Sequence, residues 1–231
     1  MVLDYEKQFY SQDIQYIVGC DEAGRGCLLG RVYAGAVILP KDFQSGLIND
    51  SKKLTEKQRE EAYKVIVENA IAYGVGFCSP EEIDEINILN ASRVAMERAI
   101  ENMNHKFDMI LSDAVKGLHF DCPKEAVIHG DAKALCIAAA SIIAKVTRDH
   151  YCYELDKQYP EYGIATHKGY GTKLHLEALQ KYGPVKGLHR FTYGPVQDLF
   201  IEKIKLFWEN LAKIPLLKYR RVFLWITHVS C

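Results

Sequence analysis

Short apolar runs and amphipathic stretches alternate along most of this chain, and their order predicts a mixed α/β domain. Strands are predicted at 16–20, at 32–39 (Val-Tyr-Ala-Gly-Ala-Val-Ile-Leu) and at 71–78, with Pro40 and Pro80 closing the last two. Thr55 opens a helix with Gln58 in the capping-box position, running to about Ala70. A second helix is predicted over 80–103, where Ile83, Ile86, Leu89, Val94 and Ile100 fall near helical spacing. Strands at 108–112 and 126–129 follow, then a long Ala-rich helix over about 132–158. Beyond Val196, the spacing of Phe200, Ile204, Phe207 and Leu211 predicts a helix over 198–212 that packs on the same domain. Pro215 breaks that pattern, and Val222–Ile226 reads as a strand or an apolar contact segment.

The polar residues that interrupt these runs carry the chemistry. Asp21 and Glu22 stand at the end of the first apolar run, followed by Gly24-Arg25-Gly26. Carboxylates at a strand end are costly unless they bind a cation or stay hydrated. Neighbouring side chains on a strand face opposite ways, so two acids serving one site require a bend, which Gly24 and Gly26 permit. Glycines also let backbone N–H groups approach a phosphate, and Arg25 adds a planar phosphate-binding fork. Asp113 ends the run Met109–Leu111, and Asp131 follows the run 126–130 and opens the long helix. Four carboxylates at three strand ends repel one another without cations. An all-oxygen set suits Mg²⁺ or Mn²⁺ rather than zinc, and two such ions activate water for phosphodiester hydrolysis.

Basic residues are grouped elsewhere. Ser51 and Lys52 precede a helix start, where hydroxyl, ammonium and helix dipole converge on a phosphate. Residues 164–193 carry Lys168, Lys173, Lys181, Lys186 and Arg190 against the single acid Glu177. His167, His175, His189 and four aromatic residues are interleaved there, a mixture suited to a nucleic-acid groove.

Composition narrows the setting. The 231 residues suffice for one sizeable core, and the formal charge of −1 neither supports nor excludes a nucleic-acid partner. Seven scattered cysteines without a CxxC pair predict a reducing compartment and no structural zinc site. The first residues lack a signal-peptide pattern and no apolar run is long enough for a bilayer, so the expectation is a cytoplasmic protein without a membrane partner.

Taken together, Asp-Glu-Ala-Gly-Arg-Gly (21–26), Asp-Ser-Lys-Lys-Leu (50–54), Ser-Asp-Ala (112–114) and Gly-Asp-Ala-Lys (130–133) resemble the type 2 ribonucleases H, the bacterial ribonuclease HII family. Segments 138–149, 167–172 and 189–196 extend the resemblance over roughly residues 15–197. It implies a ribonuclease H-like fold: a five-stranded mixed sheet flanked by helices, its first three strands antiparallel, with a helical C-terminal part. Residues 1–197 form the catalytic domain, and 198–231 are a helix and apolar tail of unassigned role. The implied activity is cleavage of the RNA strand of RNA–DNA hybrids and nicking 5′ of a single ribonucleotide in duplex DNA, leaving 5′-phosphate and 3′-hydroxyl ends. Asp21, Glu22, Asp113 and Asp131 become the catalytic ligands of two divalent cations, Mn²⁺ or Mg²⁺. Gly24, Arg25 and Gly26 contact the backbone around the ribonucleotide, Ser51 and Lys52 bind phosphate, and Tyr170 packs on the ribose. Asp149 reads as a helix residue behind the site, and a monomer is expected. The family usually carries prolines where this chain has Cys27 and Arg31. Another nuclease of the same fold, such as a junction resolvase, and a non-catalytic nucleic-acid-binding module are the alternatives.

Overall fold

The computed structural model describes residues 3–49 and 51–212. Asp50 and the tail 213–231, with its apolar 222–226 segment, lie outside the described residues. Five strands, β1 (Ile17–Ala23), β2 (Val32–Ile38), β3 (Ala72–Cys78), β4 (Met109–Asp113) and β5 (Lys124–Val127), form one sheet in the order β3-β2-β1-β4-β5. The β1–β2 and β2–β3 pairs are antiparallel, while β1–β4 and β4–β5 are parallel. Among the described residues no helix is long and apolar enough to cross a membrane, and six cysteines are free thiols.

Helices cover both faces of the sheet. Helix α1 (Glu56–Asn69) and helix α2 (Pro80–Asn102) both begin with complete capping boxes, Thr55 with Gln58 and Ser79 with Glu82. Helix α3 (Leu135–Gln158) lies across β1 and β2, and α2 packs on the opposite face against β2 and β3. The contact with α3 is almost backbone to backbone. A Cβ on Gly19 would stand 2.2 Å from the Cys136 carbonyl carbon, and one on Gly35 would stand 2.4 Å from the Ala140 oxygen. Ala138, Ala139 and Ala140 are fully buried in that interface.

Three expected elements differ in detail. The helix expected over 80–103 is broken at Asn87, whose φ of 64° is left-handed. The Asn87 carboxamide oxygen accepts from the N–H groups of Leu89 and Asn90, restarting the helix, and Leu89 turns outward at 58% exposure. Strand β5 ends at Val127 because its ladder with β4 ends at Asp113, and Ile128 then stays exposed. Helix α3 begins at Leu135 rather than about 132, because the buried Glu6 carboxylate accepts from the N–H groups of Leu135 and Cys136, each at 3.0 Å.

The C-terminal part is helical. Helices α4 (Ile164–His167), α5 (Lys173–Tyr182) and α6 (Gly194–Ala212) gather around Leu28, Leu29, Tyr162, Leu179 and Leu188. Helix α6 runs through the 197/198 boundary, and Phe200 and Ile204 remain 43% and 41% exposed, so the described residues cover that face only in part.

Candidate active site

Parallel pairing of β1 with β4 brings Asp21 and Asp113 to the carboxyl ends of neighbouring strands, where open α/β sheets place ligands. Asp131 arrives from a separate 3-10 turn, Gly130–Ala132, between β5 and α3. It therefore does not open the long helix. The Gly130 N–H donates to Asp113 Oδ1 at 2.8 Å, fastening that turn to the end of β4. Oxygens of Asp21, Asp113 and Asp131 all lie within 4.8 Å of one another.

Glu22 stands beside this group rather than in it. No bend separates the two acids, because β1 continues to Ala23 and the left-handed turn comes only at Gly24, with φ of 96°. The Glu22 N–H donates to Asp21 Oδ1 at 2.7 Å, and Glu22 Oε1 receives Arg25 Nη1 at 3.0 Å. Its other oxygen, Oε2, is buried without a hydrogen-bond partner.

The electrostatics are those of a self-repelling group. Burial pushes the Asp21 carboxyl well above its usual range, and the charges of Glu22 and Asp113 add to that. A hydrogen bond from Ser141 opposes the shift. Glu22 is raised by burial against the pull of Arg25, and Asp113 by burial with help from Asp131. Beside Arg25 at Glu22, a counter-charge stands at Asp131: Lys52 Nζ lies 2.9 Å from Asp131 Oδ2, on a side chain that is 75% exposed. An orphaned buried carboxylate oxygen and an all-oxygen donor set fit a hard divalent cation, not a thiolate- or imidazole-bound metal.

The other expected residues divide into two groups. Arg25 and Gly26 are exposed, and nothing stands within 4 Å of a Cβ built on Gly26. Tyr170 is 44% exposed and sits next to the same loop through the Cys27–Tyr170 bridge, which rules out a core-filling ring. Gly24 and Ser51, by contrast, are buried. The Ser51 hydroxyl lies 2.9 Å from that of Ser141, so it belongs to the chain of contacts behind Asp21. Asp149 is buried in α3, with Lys145 at 2.5 Å and Arg59 at 3.8 Å. Cys27 is buried, and the Arg31 guanidinium stacks over the Phe77 and Tyr151 rings at 4.0 and 5.0 Å.

The expected groove residues need a correction. Lys173, Lys181 and Lys186 are exposed, but His167, His175, His189 and Arg190 are interior. His167 stacks on His175 at 4.3 Å, with His189 at 5.7 Å from His175, beneath the turn that carries Tyr170. His167 Nδ1 accepts from the Gly169 N–H, and His175 Nδ1 lies 3.0 Å from the Tyr170 backbone carbonyl oxygen. Alternation with lysines looks like a groove in sequence, yet these side chains are packed inside the helical C-terminal part. Ser141 and Arg148 were not anticipated as site residues. Their signal is periodicity, because Ile137, Ser141, Ala144, Arg148 and Cys152 form one buried stripe of α3.

Comparison with known proteins places the chain in a family. The family profile described as Ribonuclease HII matches residues 18–194. A Ribonuclease HII of Alkaliphilus metalliredigens is 51% identical over 197 residues, covering 83% of this chain and 96% of the relative. One from Bacillus cytotoxicus is 50% identical over 200 residues, covering 87% of this chain and 76% of the relative. The crystal structure of ribonuclease H2 from Pyrococcus horikoshii OT3 superposes with a TM-score of 0.71 at 27% identity, covering 82% of this chain and 99% of that one.

Proposed function

This chain belongs to the ribonuclease HII family, and on that premise we propose how its acidic cluster acts on a nucleic acid. It is a ribonuclease H, a divalent-metal-dependent endonuclease that hydrolyses phosphodiester bonds. Its substrates, in our reading, are the RNA strand of an RNA–DNA hybrid and a single ribonucleotide in duplex DNA, cut on its 5′ side. The observation that carries the reading is the meeting of Asp21, Asp113 and Asp131 within 4.8 Å at the ends of β1 and β4.

Asp21, Asp113 and Asp131 would hold two divalent cations, Mg²⁺ or Mn²⁺, with Glu22 as a fourth carboxylate beside them, its Oε2 buried and without a hydrogen-bond partner. Such ions supply a water-derived nucleophile at neutral pH and positive charge for the departing 3′ oxygen. Ser141 and the Glu22 N–H orient the Asp21 carboxylate, and the Gly130 N–H orients that of Asp113. Lys52, exposed beside Asp131, meets a backbone phosphate next to the scissile one. In-line displacement leaves 5′-phosphate and 3′-hydroxyl ends. Discrimination needs a group that reads the 2′-hydroxyl, the feature separating RNA from DNA at one position. Tyr170, half-exposed beside Gly26, offers a ring to the ribose and a phenol to a hydrogen bond. One chain supplies every residue named, which supports a monomer as the working unit, and free thiols are compatible with a cytoplasmic setting.

The test is cleavage of duplex DNA bearing one ribonucleotide, beside continuous hybrid, with Mg²⁺ and with chelator. Asp131→Asn should abolish cutting of both while binding persists. Tyr170→Ala should slow the single-ribonucleotide substrate more than the hybrid, by about 5- to 150-fold if the contact forms in the transition state. An unchanged rate ratio in a folded Tyr170→Ala protein would remove Tyr170 from recognition.

A further inference from the structure

Two arginines are buried where no acid awaits them. Arg148 and Arg190 are 1% and 0% exposed, among the largest fully buried side chains of the molecule. Among the described residues neither forms an ion pair, and the neighbouring Asp149 is taken by Lys145 and Arg59. Burying a cation is costly unless its donors are satisfied, and here backbone carbonyls take most of them, Arg190 Nη2 alone of the two guanidinium groups staying buried without a partner. Arg148 donates to the oxygens of Lys168 (2.9 Å), Arg31 (3.3 Å) and Leu29 (3.5 Å). Arg190 donates to those of Gly30 and Arg25, both at 2.9 Å, and to the Tyr193 hydroxyl at 3.0 Å. The Tyr193 hydroxyl in turn donates to the Arg25 oxygen at 2.5 Å.

These carbonyls belong to two places only. Arg25, Leu29, Gly30 and Arg31 lie on the strap that leaves β1, and Lys168 lies in the turn that presents Tyr170. Backbone bonds already lace the strap to its neighbours: Leu28 N–H to Gly169, Gly30 N–H to Leu188 and Arg190 N–H to Leu28. The guanidinium is the group suited to this task. Its five donors lie in one rigid plane and reach several carbonyls at once, which an ammonium cannot match. Arg148 also explains Gly24. A Cβ there would stand 2.1 Å from Arg148 Nε, whereas Gly26 faces open space.

We propose that Arg148 and Arg190 are positioning residues that lock the 24–31 strap and the Tyr170 turn into one rigid reader of the ribonucleotide. The inference rests on the reading of Gly26 and Tyr170 given above. It extends that reading by assigning selectivity to groups that never touch the nucleic acid. The gripped carbonyls of Arg25 and Lys168 directly flank Gly26 and Gly169-Tyr170, so slack in either grip moves the reading groups relative to the metal-binding acids.

The test uses Arg148→Lys and Arg190→Lys in the full chain, which keep the charge and lose the fork. Initial rates, KM and kcat are measured in Mg²⁺ on single-ribonucleotide duplex and on continuous hybrid, with thermal unfolding as control. The expected result is a fall of about 10-fold in the ratio of the two rates, carried mainly by KM, in proteins that remain folded. Adding Tyr170→Ala to either variant should lower the ratio little further, since effects acting through one group are not additive. An unchanged ratio in folded variants, or losses that multiply with Tyr170→Ala, overturns the proposal. Should the lysine variants fail to fold, Tyr193→Phe decides. It removes one tether on the Arg25 carbonyl, should lower the ratio about 2- to 5-fold, and an unchanged ratio there is equally fatal. A silent Tyr170→Ala undermines the recognition reading itself, whereas an effective Tyr170→Ala with silent arginine variants refutes this inference alone.

Discussion

Asp21→Asn should make the metal-free protein more stable and catalytically dead at once. Three carboxylates have oxygens within 4.8 Å of one another, two of them buried. Two full charges at that separation repel by about 3–4 kcal/mol at an effective dielectric constant of 20. Lys52 offsets little of this, because a pair whose lysine is 75% exposed contributes under about 1 kcal/mol. Part of the repulsion is already relieved by proton uptake, since Asp21, Glu22 and Asp113 are all raised. The residual gain from an amide at position 21 is then about 1–2 kcal/mol, or roughly 2–8 °C in Tm for a chain of this size. The sign with pH follows. Between the ordinary carboxylate pKa and the raised one, the folded state holds more protons than the unfolded, so metal-free stability falls as pH rises. Thermal unfolding in chelator from pH 5 to pH 8 should show the Tm advantage of Asp21→Asn over the wild type growing as pH rises, a difference in which the contributions of other titrating groups cancel. Added Mg²⁺ or Mn²⁺ should raise the wild-type Tm and leave the variant nearly unmoved, while cleavage is lost. A variant that melts lower than wild type in chelator, or that turns over normally in Mg²⁺, would show that the cluster is not held under mutual repulsion for the sake of cations.

Two further expectations separate architecture from contact. Gly24→Ala forces a side chain into a left-handed residue and against Arg148, and should cost about 2–4 kcal/mol in denaturant unfolding. Gly26→Ala meets nothing in the protein, so its stability should stay within about 0.5 kcal/mol of wild type while KM for duplex substrate rises; equal melting loss in both variants would contradict this. Burial holds His175 down to about 4 and His189 down to about 3, so the unfolded chain binds protons there that the folded one refuses. Stability is therefore full above the ordinary histidine value of 6.5 and falls as the pH drops below it, by about 1.4 kcal/mol per pH unit for each group. Replacing His175 with Gln should make the acid limb of an unfolding profile shallower, and an unchanged slope would mean that the trio is hydrated rather than packed.

What could be read in advance was what local chemistry decides. Thr55 with Gln58 fixes the start of α1 within one turn, and the apolar runs ending in Asp21 and Asp113 give both strands and their acids. Features set by distant partners stayed hidden. The start of α3 depends on Glu6, 129 positions before Leu135, and no pattern around Ala132 announces it. Arg148 and Arg190 look like surface cations until the carbonyls of the strap, more than a hundred residues away in sequence, take their donors. Asn87 breaks α2 through a left-handed residue that helical spacing of apolar neighbours does not register. The motif names Glu22 with the other acids, but not that it would stand outside the group whose oxygens lie within 4.8 Å, nor that its Oε2 would be buried without a hydrogen-bond partner.

The near-contact of α3 with Gly19 and Gly35 bears on how this protein can change over time. Side chains between layers act as adjustable spacers; here the spacer is missing, and the distance from β1 to Ser141 is fixed by the thickness of two backbones. Mutational drift in the rest of the core, at Ile66 or Ile100 for example, can alter how tightly the molecule holds together without altering where the acids stand. Enlargement at position 19 or 35 has no such outlet, because the displaced object is a helix axis. Robustness of the chemistry is in this sense localised: a handful of missing methyl groups confers it, and the bulk of the interior is left free to vary.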